Sequence, residues 1–110
     1  MKTPKRGAIV KLNFNPQQGH EQAGYRPALV VSNSRYNAAT GLMVACPITS
    51  QVKGYGLEVL LPSHLQTQGA VLVNQIKALD WQARGYNLIE QAPPETLEEV
   101  LEKILALLDD

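Results

Sequence analysis

A single closing helix constrains what this chain can fold into. Leu97, Val100, Leu101, Ile104 and Leu108 recur at spacings of three and four, which sets them on one helical face. Pro93-Pro94 ends the preceding region and opens the helix, because proline is tolerated at the first helical position. Glu95, Glu98 and Glu99 suit the positive N-terminal end of the helix dipole, and Glu99 and Lys103 are spaced to pair. Such an apolar face needs a partner, and nearly everything upstream reads as strand.

Ala8, Val10, Leu12 and Phe14 alternate with Lys11 and Asn13, the pattern of a half-buried strand. Asn15-Pro16 ends it. A second strand starts at Pro27, where a missing N–H is tolerated, and its continuous apolar run Ala28–Val31 predicts cover on both faces. Asn33 to Gly41 is a polar connector with room for one helical turn. Leu42–Thr49 reads as a third strand, with Pro47 marking a bulge or a lapse in pairing. Ser50–Gly56 is a flexible turn, followed by strands at Leu57–Leu61, Gly69–Ile76 and Arg84–Ile89. The order predicts one mainly β domain, a small and mostly antiparallel barrel with a helix packed on it.

Composition narrows the function classes. No apolar run approaches the roughly 18 residues of a membrane span. The basic start Met1-Lys2-Thr3-Pro4-Lys5-Arg6-Gly7 is followed by only three apolar residues before Lys11, which is not a signal peptide. The lone Cys46 cannot form an internal disulfide, so a reducing, cytoplasmic home is expected. Net charge is zero, but unevenly spread. Residues 1–89 carry +6 and residues 90–110 carry −6, a basic body suited to a polyanion or an acidic partner.

His20 and His64 lie far apart, and no His/Cys/Asp cluster has metal-ligand spacing, so neither metal nor cofactor is expected. Cys46 reads as a core residue, and Gly54 and Gly56 do not open a phosphate loop. What remains is His20, Glu21 and Arg26 in a long Gly-flanked loop, with Thr49 at a strand end. RNA carries its own nucleophile, the 2′-hydroxyl beside the phosphate. A protein then needs a base, an acid and donors for the developing charge. Arg26 offers a planar cation matched to phosphate oxygens, Thr49 a hydroxyl, and Glu21 or His20 a proton acceptor. The same groups in a loop can equally form a surface ion pair.

Gly19-x-Glu21-Gln22-x-Gly24-x-Arg26-Pro27 and the apolar strand after it resemble the signature of the MazF/PemK (Kid-like) toxins. Cys46-Pro47-Ile48-Thr49-Ser50 is similar to their Pro-x-Thr-Ser/Thr strand end. Asn74-Gln75-Ile76-Lys77 is similar to their Asp/Asn-Gln-x-Lys/Arg segment, and Trp81–Gly85 and the closing helix fit in order. The resemblance implies the small SH3-like barrel of the CcdB/MazF/PemK-like plasmid-maintenance toxins, filling residues 1–110 with a short helix and a C-terminal one. It also implies a homodimeric, metal-independent, sequence-specific endoribonuclease, an mRNA interferase acting on single-stranded RNA. A MazE-like antitoxin with an acidic tail would neutralise it. Arg26 would be acid and phosphate stabiliser, Thr49 would hold the transition-state phosphate, and Glu21 would be the base with His20 assisting. Expected products are a 2′,3′-cyclic phosphate and a 5′-hydroxyl.

Asn74 departs from the pattern, because several relatives use a titrating aspartate there. For RNA contacts the expected set is Asn15, Gln17, Tyr25, Gln51, Lys53, Tyr55, Asn74, Gln75 and Lys77, with Arg84 and Gln18 as further candidates. Trp81 reads as packed against the helix or a partner subunit, with base stacking as the alternative. Two competing functions stand beside the ribonuclease. One is a non-catalytic poison of the same fold that grips gyrase, whose relatives end in an aromatic-Gly-aliphatic tail unlike Ala106–Asp110. The other is a silent binding barrel.

Overall fold

The computed structural model describes residues 2–15 and 19–109. In chain order the elements are β1 (Ala8–Asn13), β2 (Tyr25–Val30), α1 (Ser34–Thr40), β3 (Leu42–Thr49), β4 (Glu58–Leu60), β5 (Ala70–Leu72), β6 (Lys77–Asp80), α2 (Trp81–Arg84), β7 (Asn87–Gln91) and α3 (Pro94–Leu108). Every ladder is antiparallel, and the path runs β4-β5-β3-β2-β1-β7 with β6 also on β3. This is the mainly β, barrel-like body with a C-terminal helix that the sequence implies, left open between β4 and β7.

β3 organises the sheet because it changes partners along its length. Leu42–Ala45 pair with β6, Ala45–Pro47 with β2, and Ile48–Thr49 with β5. Pro47 stands at the change. The bond from Val31 N to Val44 O fixes the alternation, so the nitrogen of Pro47 faces away from β2. On that side lies the break between β5 and β6, a 3-10 turn at Val73–Gln75. Pro27 obeys the same logic. It pairs with Lys11 at a position where its nitrogen faces β3, beyond the last β2–β3 pair at Ala28–Pro47. Both prolines therefore sit where no ladder bond is lost.

Several boundaries differ from the sequence reading. β2 begins at Tyr25 and not at Pro27, because Tyr25 and Arg26 pair with Asn13 and Leu12 of β1, so Arg26 lies on a strand and not in the loop. The strand expected over 69–76 ends at Leu72, where residues 73–75 form a 3-10 turn, and a further strand, β6, follows at Lys77–Asp80 beyond the expected bounds. The strand expected over 84–89 runs Asn87–Gln91, since Asp80 caps α2 by accepting from Ala83 N at 2.9 Å and holds residues 81–84 helical. The connector before β3 carries the expected helix, α1, which at seven residues is longer than the one turn expected, with Asn33 accepting from Tyr36 N at 2.8 Å and Gly41 closing it at φ +73°.

Two apolar clusters flank the sheet. Ile9, Leu29, Cys46, Ile48, Val59, Val71 and Val73 meet Leu97, Val100, Leu101 and Ile104 of α3. Val10, Leu12, Phe14, Ala28, Val30, Met43 and Leu79 meet Trp81 on the other face. β1 is therefore covered on both sides over its first half, and only Asn13 is exposed where alternation predicted a polar face. Burial pushes the Cys46 thiol up to about 12, which makes it a core residue and no nucleophile. Trp81 packs edge-on against Tyr86 and donates from Nε1 to Asn37 O of α1 at 3.0 Å, so α1, and not the closing helix, is its partner. Leu108, expected on the core face, is 77% exposed. The helix, about 22 Å long at 1.5 Å per residue, outruns the surface it covers.

Side chains span the gap that the ladders leave open. Glu90 of β7 accepts from Gln66 N at 3.1 Å and from the amide and hydroxyl of Thr67 at 2.8 Å each, in the loop joining β4 to β5. Burial pushes the Glu90 carboxyl up, but these hydrogen bonds and the nearby His64 together outweigh it and hold the group below its ordinary value. A lowered carboxyl stabilises the fold above the unfolded-state value, about 4.3, and loses that contribution as pH falls through the folded value. Glu90→Gln should therefore lower the melting temperature at pH 7. The gap to wild type should close on acidification below about pH 4; a gap independent of pH in thermal melts would contradict the strap.

Candidate active site

The loop from β1 to β2 is held at its base by polar contacts. Phe14 N donates to Gly24 O at 2.9 Å, and Asn15 Oδ1 accepts from Gly24 N at 3.1 Å. Nη1 of Arg84 donates to the carbonyls of Asn13 and Asn15 at 2.8 and 2.7 Å. Asn15 and Arg84, both expected to contact RNA, thus buttress the loop. At its far side Gln75 does the holding. Its Oε1 accepts from Gln22 N at 2.9 Å and its Nε2 donates to His20 O at 3.4 Å. One amide thereby grips the backbone on both sides of Glu21.

Gln75 can do this because the 3-10 turn ends on it. An unbroken strand would alternate residues 74 and 75 to opposite faces; instead both line the same two hollows, each about 150 Å³. The first hollow is bounded by Glu21, Gln22, Pro47, Asn74, Gln75 and Lys77. The second is bounded by Gln22, Thr49, Gln51, Lys53, Tyr55, Glu58, Asn74 and Gln75. Phe14 and Ile76 add apolar surface to the first; Gln22, Asn74 and Gln75 form their common wall, so the two adjoin as one groove.

Thr49 sits on that groove at the end of β3. Its Oγ1 accepts from Gln51 N at 3.1 Å, which leaves the hydroxyl proton to donate. Gly69 presses against it from β5's approach. A Cβ there would lie 2.0 Å from Thr49 O, at a φ of +117°, so no other residue fits. Arg26 is half-buried, with Nε donating to Ala23 O at 2.8 Å. The β2–β3 ladder stops at Ala28–Pro47, and its register, continued two residues, would set Arg26 opposite Thr49.

Of the residues expected from sequence, the groove unites Glu21, Thr49, Gln51, Lys53, Tyr55, Asn74, Gln75 and Lys77. Tyr25 lies apart. It lines another hollow with Asn13, Arg84 and Asn87, its ring faced by the Lys11 ammonium at 5.2 Å. His20 is exposed and bound through its carbonyl, and Gln17 and Gln18 lie outside the described residues. Sequence reasoning missed Gln22 and Glu58, whose carboxylate gathers the amides of residues 53–55. An acid three residues beyond Tyr55, at the mouth of a Gly-flanked turn, was the available signal. Among the described residues no three His, Cys, Asp or Glu side chains gather as metal ligands.

Residues 5–108 match the profile of the PemK-like, MazF-like toxins of type II toxin–antitoxin systems. The chain belongs to this family. It is 40% identical over 105 residues to the endoribonuclease toxin MazF of Escherichia coli K12, covering 96% of this chain and 94% of that one. Crystallised MazF from Deinococcus radiodurans superposes with a TM-score of 0.94 at 50% identity, over 98% of each chain. MazF from the same organism, crystallised with MazE, superposes at 0.88 and 50% identity, over 98% of this chain and 97% of that one. Among the described residues no helix is long and apolar enough to cross a membrane.

For this MazF-like toxin, the Gln75 clamp makes a direct prediction. Gln75→Ala should cost about 1 kcal/mol of stability and speed hydrogen exchange at the Gln22 amide. Gln75→Glu, which keeps the acceptor and loses the donor, should fall between. Exchange at Gln22 that is the same in all three proteins would show that the clamp does not hold the loop.

Proposed function

We propose that this chain is a sequence-specific endoribonuclease that cuts single-stranded RNA without a metal ion, acting as the toxin of a type II pair. The observation that carries the reading is the convergence of Glu21, Thr49, Lys53, Lys77, Asn74 and Gln75 on two adjoining hollows; Arg26 lines neither, and enters through its motif and through the β2–β3 register, which if continued would set it opposite Thr49. The endoribonuclease names of its relatives support the same activity.

In this reading the groove takes a strand of RNA with one phosphate near Thr49. Glu21, held by the clamp on its flanking residues, takes the proton of the 2′-hydroxyl, and the freed oxygen attacks phosphorus. His20 assists as the loop's second basic group. Arg26 offers its terminal guanidinium nitrogens to the phosphorane oxygens and gives a proton to the departing 5′-oxygen. Thr49 donates its hydroxyl proton to the same oxygens. The P–O5′ bond breaks, leaving a 2′,3′-cyclic phosphate and a 5′-hydroxyl. Asn74 cannot titrate, so its place is contact, as for Gln51, Gln75 and Tyr55. Lys53 and Lys77 draw the backbone in.

The working form is proposed as a homodimer of single-domain subunits in a reducing compartment, neutralised by a MazE-like antitoxin. Solved complexes of a similar MazF with MazE support that partner. The charge division supports an acidic antitoxin segment, because residues 1–89 carry +6.

Arg26→Ala should lower RNA cleavage by about 100-fold or more, the usual scale for losing a transition-state donor, and leave the fold intact. Wild type should cut RNA in EDTA and leave a DNA copy whole. Wild-type rates in the variant would remove Arg26 from the mechanism. Activity lost in EDTA and restored by a divalent ion would overturn the metal-free reading, and an intact RNA would favour the gyrase-gripping alternative.

A further inference from the structure

Glu58 poses a question of charge. It places a carboxylate on the wall of a groove proposed to hold a polyanion, beside Thr49, Lys53 and Tyr55. Its oxygens are engaged with backbone. Oε1 accepts from the consecutive amides of Lys53, Gly54 and Tyr55 at 3.1, 2.7 and 3.3 Å, and Oε2 from Lys53 N at 3.3 Å. Three successive N–H groups pointing at one oxygen form a backbone nest, a concavity that ordinarily captures an anion. Gly54, at φ +79°, supplies the left-handed residue such a turn needs.

The support behind this contact is rigid. Glu58 begins β4 and pairs with Leu72 of β5, and Glu58 N donates to Tyr55 O at 3.0 Å. The far side of the turn is tied from α3, where Lys103 Nζ donates to Gly56 O at 2.9 Å. Lys103, spaced to pair with Glu99, thus reaches the turn. The segment between β3 and β4 carries no regular structure and exposes Tyr55 to 65%, yet it is fastened at both ends.

We propose that Glu58 is a positioning residue for RNA selection: its carboxylate fills the nest of residues 53–55 and so fixes where Lys53 and Tyr55 meet the RNA. The proposal rests on the ribonuclease reading above. With the nest filled, Tyr55 presents its ring from one backbone geometry and reads a base at a set distance from Thr49. With the nest empty, the turn samples several geometries, and neighbouring bases become acceptable at a lower rate. The effect comes from geometry, not from the negative charge. Glutamine keeps one carbonyl oxygen at Oε1, where three of the four contacts converge, and should preserve the arrangement.

Amide exchange and cleavage mapping on the full chain test this together. Glu58→Ala should speed exchange at residues 53–55, broaden the set of cut sites on a long single-stranded RNA and lower kcat/KM at the wild-type sites about 10- to 100-fold, the scale of a misplaced contact. Glu58→Gln should keep the wild-type cut map. Gly54→Ala gives a second route. A Cβ there meets nothing within 4 Å, so it strains only the turn, and it should broaden the map as Glu58→Ala does. Unchanged exchange in Glu58→Ala would overturn the proposal, as would a Glu58→Gln that behaves like Glu58→Ala, which would assign the effect to charge. Protected amides at 53–55 in a wild type that leaves RNA intact would uphold the grip of Glu58 and overturn the turn's assignment to RNA.

Discussion

The change of partners along β3 is the constraint on which the rest depends. β3 pairs with β6 at one end and β5 at the other, and the chain that supplies both partners leaves the ladder between them. Pro47 fits this break, because the side where its N–H is missing is the side where the neighbour breaks. The break is the 3-10 turn, and the turn brings Asn74 and Gln75 to the same groove. Fold and site are therefore one problem here: the irregularity that lets a short sheet curl also supplies the groove's common wall.

The groove is assembled from loops, but backbone contacts hold those loops. Gln75 grips the residues on either side of Glu21, Asn15 and Arg84 fasten the base of the same loop, and Glu58 and Lys103 fasten the turn at 53–56. Several polar residues that composition would assign to RNA are spent on this framework. Under the proposed reading, a site of this kind needs donors that are already oriented, since reorientation during a reaction would cost part of the gain. Polar and charged side chains engaged with backbone supply that order where the loops lie outside the two apolar clusters.

The resemblance to the toxin family named candidate residues but not their roles. It pointed to Glu21, Arg26 and Thr49 by their motifs, and Glu21 and Thr49 line adjoining hollows. It did not say which motif residues touch substrate and which hold the scaffold. Gln75 illustrates the difference. Within Asn-Gln-x-Lys it reads as an RNA contact; the structure adds that its amide grips one loop on either side of Glu21, 53 and 55 residues away.

Local pattern alone determined the elements: the alternation of β1, the apolar runs of β2 and β3, and the helical spacing from Leu97 to Ile104. These were legible because strand and helix periods are properties of neighbouring residues. Pro47 was legible as an interruption for the same reason, whereas Pro27, read as the start of a strand, lies inside β2. Only the tertiary structure decided that residues 73–75 leave the ladder, that Trp81 docks on α1, that Leu108 overhangs, and that Glu90 straps the open barrel. Each of these depends on a contact distant in sequence, and periodicity carries no record of where a bent strand will find its next partner. The same limit applies to the candidate site: the functional groups of Glu21, Arg26 and Thr49 are legible in the sequence, but the contacts that hold the loops around them are not.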